Sequence, residues 1–243
     1  MVGKKISSQY NTYKITKKLA ADNRPNANVY LCEDERGKVF VAKHFYNGRT
    51  SPILGYGKVN HFGRRRDGSE TVFREIQEKS KKYDFLIDHY ERIKFEGKWI
   101  IIIEYVNGCL LSEFIKKEYK SNIDLVKAAV IGLAETLKKW HSNGFAHGDP
   151  HLDNAIVQIS NGSPKIILID YSLIHHADFK YCKHIDCFGS KYNRIIEDLE
   201  NYSTMGKGFL HELKNLEVKL GLENLLSETF LKTYQSNTNG IDI

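Results

Sequence analysis

The sequence predicts an α+β chain in two parts. Residues 1–106 form a five-stranded sheet with one helix, and residues 107–243 form a reduced, mostly helical part. Three observations predict this division. Apolar residues alternate in short runs through the first hundred positions, the pattern of half-buried strands. After Asn107-Gly108 the apolar spacing lengthens to three and four, the period of a helix. A cluster of acids, an amide and two histidines then follows the first long helical stripe and precedes two short β runs.

The elements follow in order. Tyr13 to Ala21 and Val29 to Glu33 are strand-like and flank Asp22-Asn23-Arg24-Pro25-Asn26-Ala27-Asn28, a run of turn formers. Asp34-Glu35-Arg36-Gly37 turns the chain into a third strand, Lys38 to Phe45. A long polar stretch from Asn47 to Ser69 contains Arg64-Arg65-Arg66, and its length marks it as functional or mobile. Ser69 is the expected N-cap of a helix running to about Tyr83 with Val72 and Ile76 on one face. Two strands, Ile87 to Phe95 and Lys98 to Tyr105, pair across Glu96-Gly97.

In the second part, Val126, Val130, Leu133, Leu137 and Trp140 make the buried stripe of a helix from Asp124 to His141. Ser121 and Asp124 suggest a capping box, and Asn143-Gly144 a C-terminal stop. Ala155 to Ile159 and Lys165 to Ile169 are β runs around Asn161-Gly162-Ser163-Pro164. Leu210, Leu213, Leu216 and Leu220 mark a helix near the end.

Composition narrows the class. With 243 residues, 41% apolar and 27% charged, the chain is long enough for a real core and too apolar for disorder. Its longest apolar run, Trp99 to Ile103, is far short of the ~20 residues that span a membrane. The start carries lysines without an apolar stretch behind them, so no secretory signal is expected. Four cysteines read as reduced thiols. A net charge of +6 favours anionic ligands such as nucleotides and is too small to argue for nucleic acid.

The residues that carry chemistry are His147-Gly148-Asp149-Pro150-His151-Leu152-Asp153-Asn154, followed by Asp170 at the end of an apolar strand. Phosphoryl transfer depends on positioned charge more than on covalent help. A carboxylate must orient the attacking hydroxyl and accept its proton, which suits Asp149. An amide oxygen and a second carboxylate are the hard oxygen ligands that magnesium requires, which suits Asn154 and Asp170.

On these residues the chain resembles the protein-kinase-like superfamily. His147-Gly148-Asp149 stands where that family has its catalytic loop, and Asp170-Tyr171-Ser172 where it has its magnesium-binding Asp-Phe-Gly. Val41-Ala42-Lys43 is similar to its third-strand lysine motif, and Ile103 to Gly108 to its hinge. The resemblance covers roughly residues 13 to 200. It implies a bilobal kinase-like fold that uses ATP and Mg2+. Lys43 would meet the ATP phosphates, and the backbone at Glu104 and Val106 would hold the adenine. Lys43 needs a partner carboxylate; among Glu70, Glu75 and Glu78, the separation from the hinge favours Glu75.

The departures bear on the acceptor. The loop before Val29 has no glycine, Tyr171-Ser172 replaces Phe-Gly, and His151 stands where protein kinases carry lysine. The stretch after Asp170 is short for a full peptide-docking platform. In this respect the chain is similar to bacterial effector kinases, while Gly148-Asp149-Pro150-His151 with Asn154, and Ile169-Asp170 with Ser172, are similar to the heptose kinases of the lipopolysaccharide core. The expected function is phosphoryl transfer from ATP to a hydroxyl, first of a serine or threonine in a protein, as in an atypical bacterial kinase or secreted effector. A sugar of the lipopolysaccharide core is the alternative acceptor. A pseudokinase binding module and transfer of AMP are further alternatives. The chain is expected to be a cytoplasmic monomer, or secreted into a host cell, with no nucleic acid partner. His175, His176, Cys182, His184 and Cys187 form a weak zinc pattern that lacks a second matched pair.

Overall fold

The computed structural model describes residues 1–19, 27–45, 70–171, 174–179, 198–199 and 208–236. The Ser69 cap, the Arg64-Arg65-Arg66 run, Asn23, Asn26, Ser172, and the Cys182, His184 and Cys187 cluster lie outside these residues. The chain divides into two compact units, Met1–Val106 and Asn107–Ile243.

The first unit is built on an antiparallel sheet of six strands: β1 (Lys5–Ser7), β2 (Thr12–Lys18), β3 (Ala27–Asp34), β4 (Val39–Phe45), β5 (His89–Phe95) and β6 (Lys98–Glu104). Their spatial order is β1-β2-β3-β4-β6-β5. The sequence pattern predicts five. The additional strand, β1, has a single inward side chain, Ile6, which is fully buried opposite Tyr13. One apolar residue among lysines and serines is too little for a period-2 pattern, yet enough for a three-residue edge strand.

Four consecutive isoleucines in β6 serve both faces of the sheet. Ile100 and Ile102 join Ile6, Tyr13, Ile15, Phe40 and Ala42 in one cluster. Ile101 joins Ala27, Phe45 and Phe73 in the other, with Trp99 and Ile103 packed against it. A continuous apolar run is what a strand covered on both sides needs. The covering element on the second face is α1 (Glu70–Lys82), which supplies Phe73. The β5–β6 hairpin closes through Glu96 (φ 48°) and Gly97 (φ 77°), a two-residue turn with both residues left-handed.

The second unit contains β7 (Cys109–Leu110), α2 (Leu111–Glu118), α3 (Ile123–Ser142), β8 (Phe145–Ala146), β9 (Ala155–Ser160), β10 (Ser163–Leu168), β11 (His175–His176), α4 (Phe209–Leu220) and α5 (Leu225–Gln235). β7 and α2 have no counterpart in the sequence pattern; α2 buries only Leu111, Phe114 and Ile115, a short stripe. The cap of α3 also differs. Asn122, through its side chain, accepts the Leu125 N–H at 3.2 Å, while Ser121 Oγ donates back to the Glu118 carbonyl. Ser121 therefore belongs to the turn leaving α2.

The β9–β10 hairpin turns on Asn161 (φ 51°) and Gly162 (φ 78°) alone. Pro164 lies inside β10, opposite Ile159, not in the turn. The strand order β10-β9-β7 makes β10 an edge, where a missing N–H costs no ladder bond. Helix α3 packs its buried Val126, Val130, Leu133, Leu137 and Trp140 against β10 and α5. Glu217 of α4, itself buried, accepts the Ser227 N–H (2.9 Å) and Ser227 Oγ–H (2.7 Å), which seats the start of α5. Among the described residues, no helix is long and apolar enough to cross a membrane.

Candidate active site

Helix α3 ends at Asn143-Gly144 and delivers the chain through β8 into the buried His147. From there the loop His147–Asn154 is held by hydrogen bonds at nearly every residue. His147 Nε2–H donates to the Ile169 carbonyl (2.8 Å), and Nδ1 accepts the Asp149 N–H (3.3 Å), so both ring nitrogens are committed. Gly148 has φ 77°, a left-handed conformation that costs a residue with a Cβ about 1–2 kcal/mol. That conformation aims the Gly148 N–H at the carboxylate of Asp198, at 2.8 Å.

Asp198 was not anticipated from sequence. It is fully buried, and it accepts from the backbone N–H groups of His147 and Gly148 while lying 3.2 Å from His141 Nε2. His141 Nδ1 in turn meets the Tyr234 hydroxyl of α5 at 2.5 Å. Burial and the Asp198 charge push the Tyr234 phenol well above its ordinary range. The loop is thus tied to α3 and α5 by one polar network inside the core. A lone aspartate far along the chain, outside any motif, carries no sequence signal for this role. Trp140, expected only as a core residue, also lies beside the loop, its ring 5.7 Å from His147 and 5.2 Å from Tyr171.

Asp149 is half-buried, and both of its carboxylate oxygens are engaged. Oδ1 lies 3.0 Å from His151 Nε2, and Oδ2 accepts from Asn154 Nδ2 at 3.2 Å. Asn154 Nδ2 also donates to the Asp149 carbonyl at 2.8 Å. The structure therefore brings Asp149 and Asn154 together. Asp170 joins them through the β9–β10 ladder. Ala155 pairs with Leu168, and the Ile169 N–H donates to the Asn154 carbonyl at 2.8 Å, so residues 154 and 170 flank the same end of the hairpin. Asp170 is half-buried and left-handed (φ 61°), an uncommon state for a residue with a side chain and one that concentrates at functional sites.

These two residues fit a magnesium ion. The Asn154 amide nitrogen is turned to Asp149, which leaves its carbonyl oxygen as the hard donor, and Asp170 adds a carboxylate. Among the described residues there is no group of three or more histidine, cysteine or acidic side chains able to hold a metal by themselves. Magnesium on a nucleotide is commonly held by one or two protein oxygens together with the phosphates, so a two-residue set suffices.

The remaining predicted residues lie in the first unit. Lys43 sits on β4 opposite Val29 and Ile101, on the sheet face that α1 covers, with Nζ 5.6 Å from the centre of the Phe45 ring. Glu75 of α1 is half-buried, whereas Glu78 is exposed. Glu104 ends β6. Its N–H donates to the Asp88 carbonyl (2.9 Å), and its Oε2 accepts the Asp88 N–H (3.1 Å). Val106 is buried at the end of this unit. Cys32 is buried and free, its thiol pushed up to about 12 by burial, and Cys109 is exposed and free.

Residues 93–197 match the ABC1 atypical kinase-like domain. The chain is also similar to the "Probable serine/threonine-protein kinase 2" of Plasmodium falciparum (isolate K1 / Thailand), 26% identical over 153 residues. That alignment covers 60% of this chain and 29% of the relative, so the chain spans well under two thirds of the curated relative it matches. These likenesses support a protein-kinase-like superfamily. The kinase-like match contains Asp149, Asn154 and Asp170, together with Glu104 and Val106, and begins after Lys43 and Glu75. The mixed sheet-and-helix architecture is consistent with a kinase-like fold, and the likenesses suggest a kinase-like phosphotransferase.

Proposed function

We propose that the chain transfers the γ-phosphoryl group of ATP to the hydroxyl of a protein serine or threonine. The observation that carries this reading is Asp149, a carboxylate held at both oxygens, beside Asn154 and Asp170 at one end of a hairpin. Asp149 orients the acceptor hydroxyl and takes its proton as the new O–P bond forms and ADP departs. Asn154 and Asp170 would hold magnesium, which supplies positive charge to the phosphates. Lys43 is assigned to the nucleotide phosphates and Glu75 to Lys43, with the backbone at Glu104 and Val106 assigned to the adenine. The protein acceptor is favoured by the name of the kinase relative.

The test is incubation with ATP labelled at the γ or the α position, offering whole-cell protein lysate and purified lipopolysaccharide core as separate acceptors. Label from the γ position on protein serine or threonine supports the proposal, and Asp149→Asn should lower that transfer about 10²–10⁴-fold with ATP binding retained. Label on the glycolipid alone would move the acceptor to a core sugar. Transfer from the α position would replace phosphate by AMP. ATP binding without consumption would make the chain a binding module.

A further inference from the structure

We propose that His151 and Glu212 form a positioning pair for Asp149, with Glu212 fixing the His151 ring and the ring fixing the carboxylate. The inference rests on the phosphotransferase reading and adds to it a control on the base by Glu212, a residue outside the His147–Asn154 motif.

The imidazole of His151 lies between two carboxylates. Its Nε2 is 3.0 Å from Asp149 Oδ1 and its Nδ1 is 3.9 Å from Glu212 Oε1, both within ion-pair distance. Two sides of Asp149 are thereby held by different residues, His151 at Oδ1 and Asn154 Nδ2 at Oδ2. The His151 backbone is fixed as well. Its N–H donates to the Asp149 carbonyl (2.9 Å), and its carbonyl accepts the Asn154 N–H (2.8 Å). With both backbone groups used, the freedom left to this residue is rotation of the ring.

Glu212 addresses that freedom. It stands in the first turn of α4, three residues after Phe209, so the two side chains share a helix face. Phe209 is fully buried with its ring 6.2 Å from His147, and Glu212 meets His151. One face of α4 thus touches both histidines of the loop, one by ring packing and one through a carboxylate facing an imidazole nitrogen. A carboxylate facing one ring nitrogen sets which way the other points, the logic by which acids orient histidines in many sites.

The chemical consequence follows from the tolerance of positioned catalysis. A carboxylate free to turn about its last torsion presents its lone pairs to the acceptor only part of the time, and a misplacement of about 1 Å costs up to ~100-fold in rate. A lysine, standing at this position in protein kinases, is a flexible point charge that offers no second nitrogen for Glu212 to hold.

The experiment compares kcat and KM of the parent, His151→Ala, His151→Gln, Glu212→Ala and the His151→Gln/Glu212→Ala double variant on one acceptor. His151→Ala should lower kcat about 10–100-fold with the KM for ATP little changed. His151→Gln, whose amide nitrogen reaches where Nε2 lay, should recover most of that loss. Glu212→Ala should lower kcat severalfold in the parent and leave the His151→Gln background unchanged. Parent-like turnover in His151→Ala, or an equal Glu212→Ala effect in both backgrounds, would overturn the pairing. A second readout needs no turnover: the 15N ring resonances of His151, identified by their absence in His151→Gln. They should shift on Glu212→Gln, and unmoved resonances would refute the pair. A parent without phosphotransfer would refute the proposed function instead, with the resonances still deciding this inference.

Discussion

Asp198 holds the backbone of Gly148. The buried carboxylate accepts the Gly148 N–H at 2.8 Å and the His147 N–H through its other oxygen, so the start of the His147–Asn154 loop hangs from one acid. Removing it leaves the buried His147 N–H, the half-buried Gly148 N–H and His141 Nε2 without an acceptor, each unmet buried group costing roughly 1–3 kcal/mol.

Asp198→Ala should therefore lose about 3 kcal/mol or more of folding stability, read as a lower urea midpoint, and phosphotransfer should fall with it. Asp198→Asn keeps one accepting oxygen but turns an NH2 group towards a donor, so it should fall between Ala and the parent. An Asp198→Ala protein with the parental midpoint would show that the loop is anchored elsewhere.

The contrast between Asp198 and Asn154 explains what the sequence made legible. Asp149, Asn154 and Asp170 lie within one loop and one hairpin, so their joint placement follows from local spacing and strand register. The strands and helices with several inward residues were equally legible, because burial repeats with their period. Asp198, Glu212 and Tyr234 reach the site through packing of distant segments, which no local period records. β1 and α2 were missed for a different reason: one or three buried side chains satisfy a short element without making a pattern.

His44 makes the first unit sensitive to acid. It is buried in β4 on the face opposite Lys43, and among the described residues neither ring nitrogen has a hydrogen-bond partner. Burial, with Lys98 second, holds its pKa below the ordinary imidazole value of about 6.5. As pH falls through that value, the unfolded chain takes up a proton here that the folded chain still refuses, so stability declines towards acid. His44→Phe should flatten this part of the stability profile between about pH 7 and the lowered folded value. Urea denaturation of both proteins across that window reads the difference, and parallel profiles would remove His44 as the source.

Gly148 tests whether backbone conformation at the loop is required. At φ 77° an added Cβ costs about 1–2 kcal/mol, and Asn, which tolerates left-handed backbone, costs less. Gly148→Ala should lower thermal stability more than Gly148→Asn. Both should lower turnover, because a displaced Gly148 N–H loosens the Asp198 tie. Full activity in Gly148→Ala would mean that the left-handed residue is a tolerated accident of the turn.

On the proposed function Asn154 would have two tasks, its nitrogen donating to Asp149 and its oxygen available to magnesium, and substitutions at this residue separate them. Asn154→Ala removes both, and the magnesium concentration for half-maximal turnover should rise about 10-fold or more while kcat falls. Asn154→Asp keeps an oxygen ligand but sets a second carboxylate where Nδ2 donated, 3.2 Å from Asp149 Oδ2. Like charges that close repel, so kcat should fall without a matching rise in the magnesium requirement. Chelation by EDTA should stop turnover in every active variant, and excess Mg2+ should restore it. A magnesium titration of Asn154→Ala that superimposes on the parent would take the metal away from this residue and leave it only the task of holding Asp149.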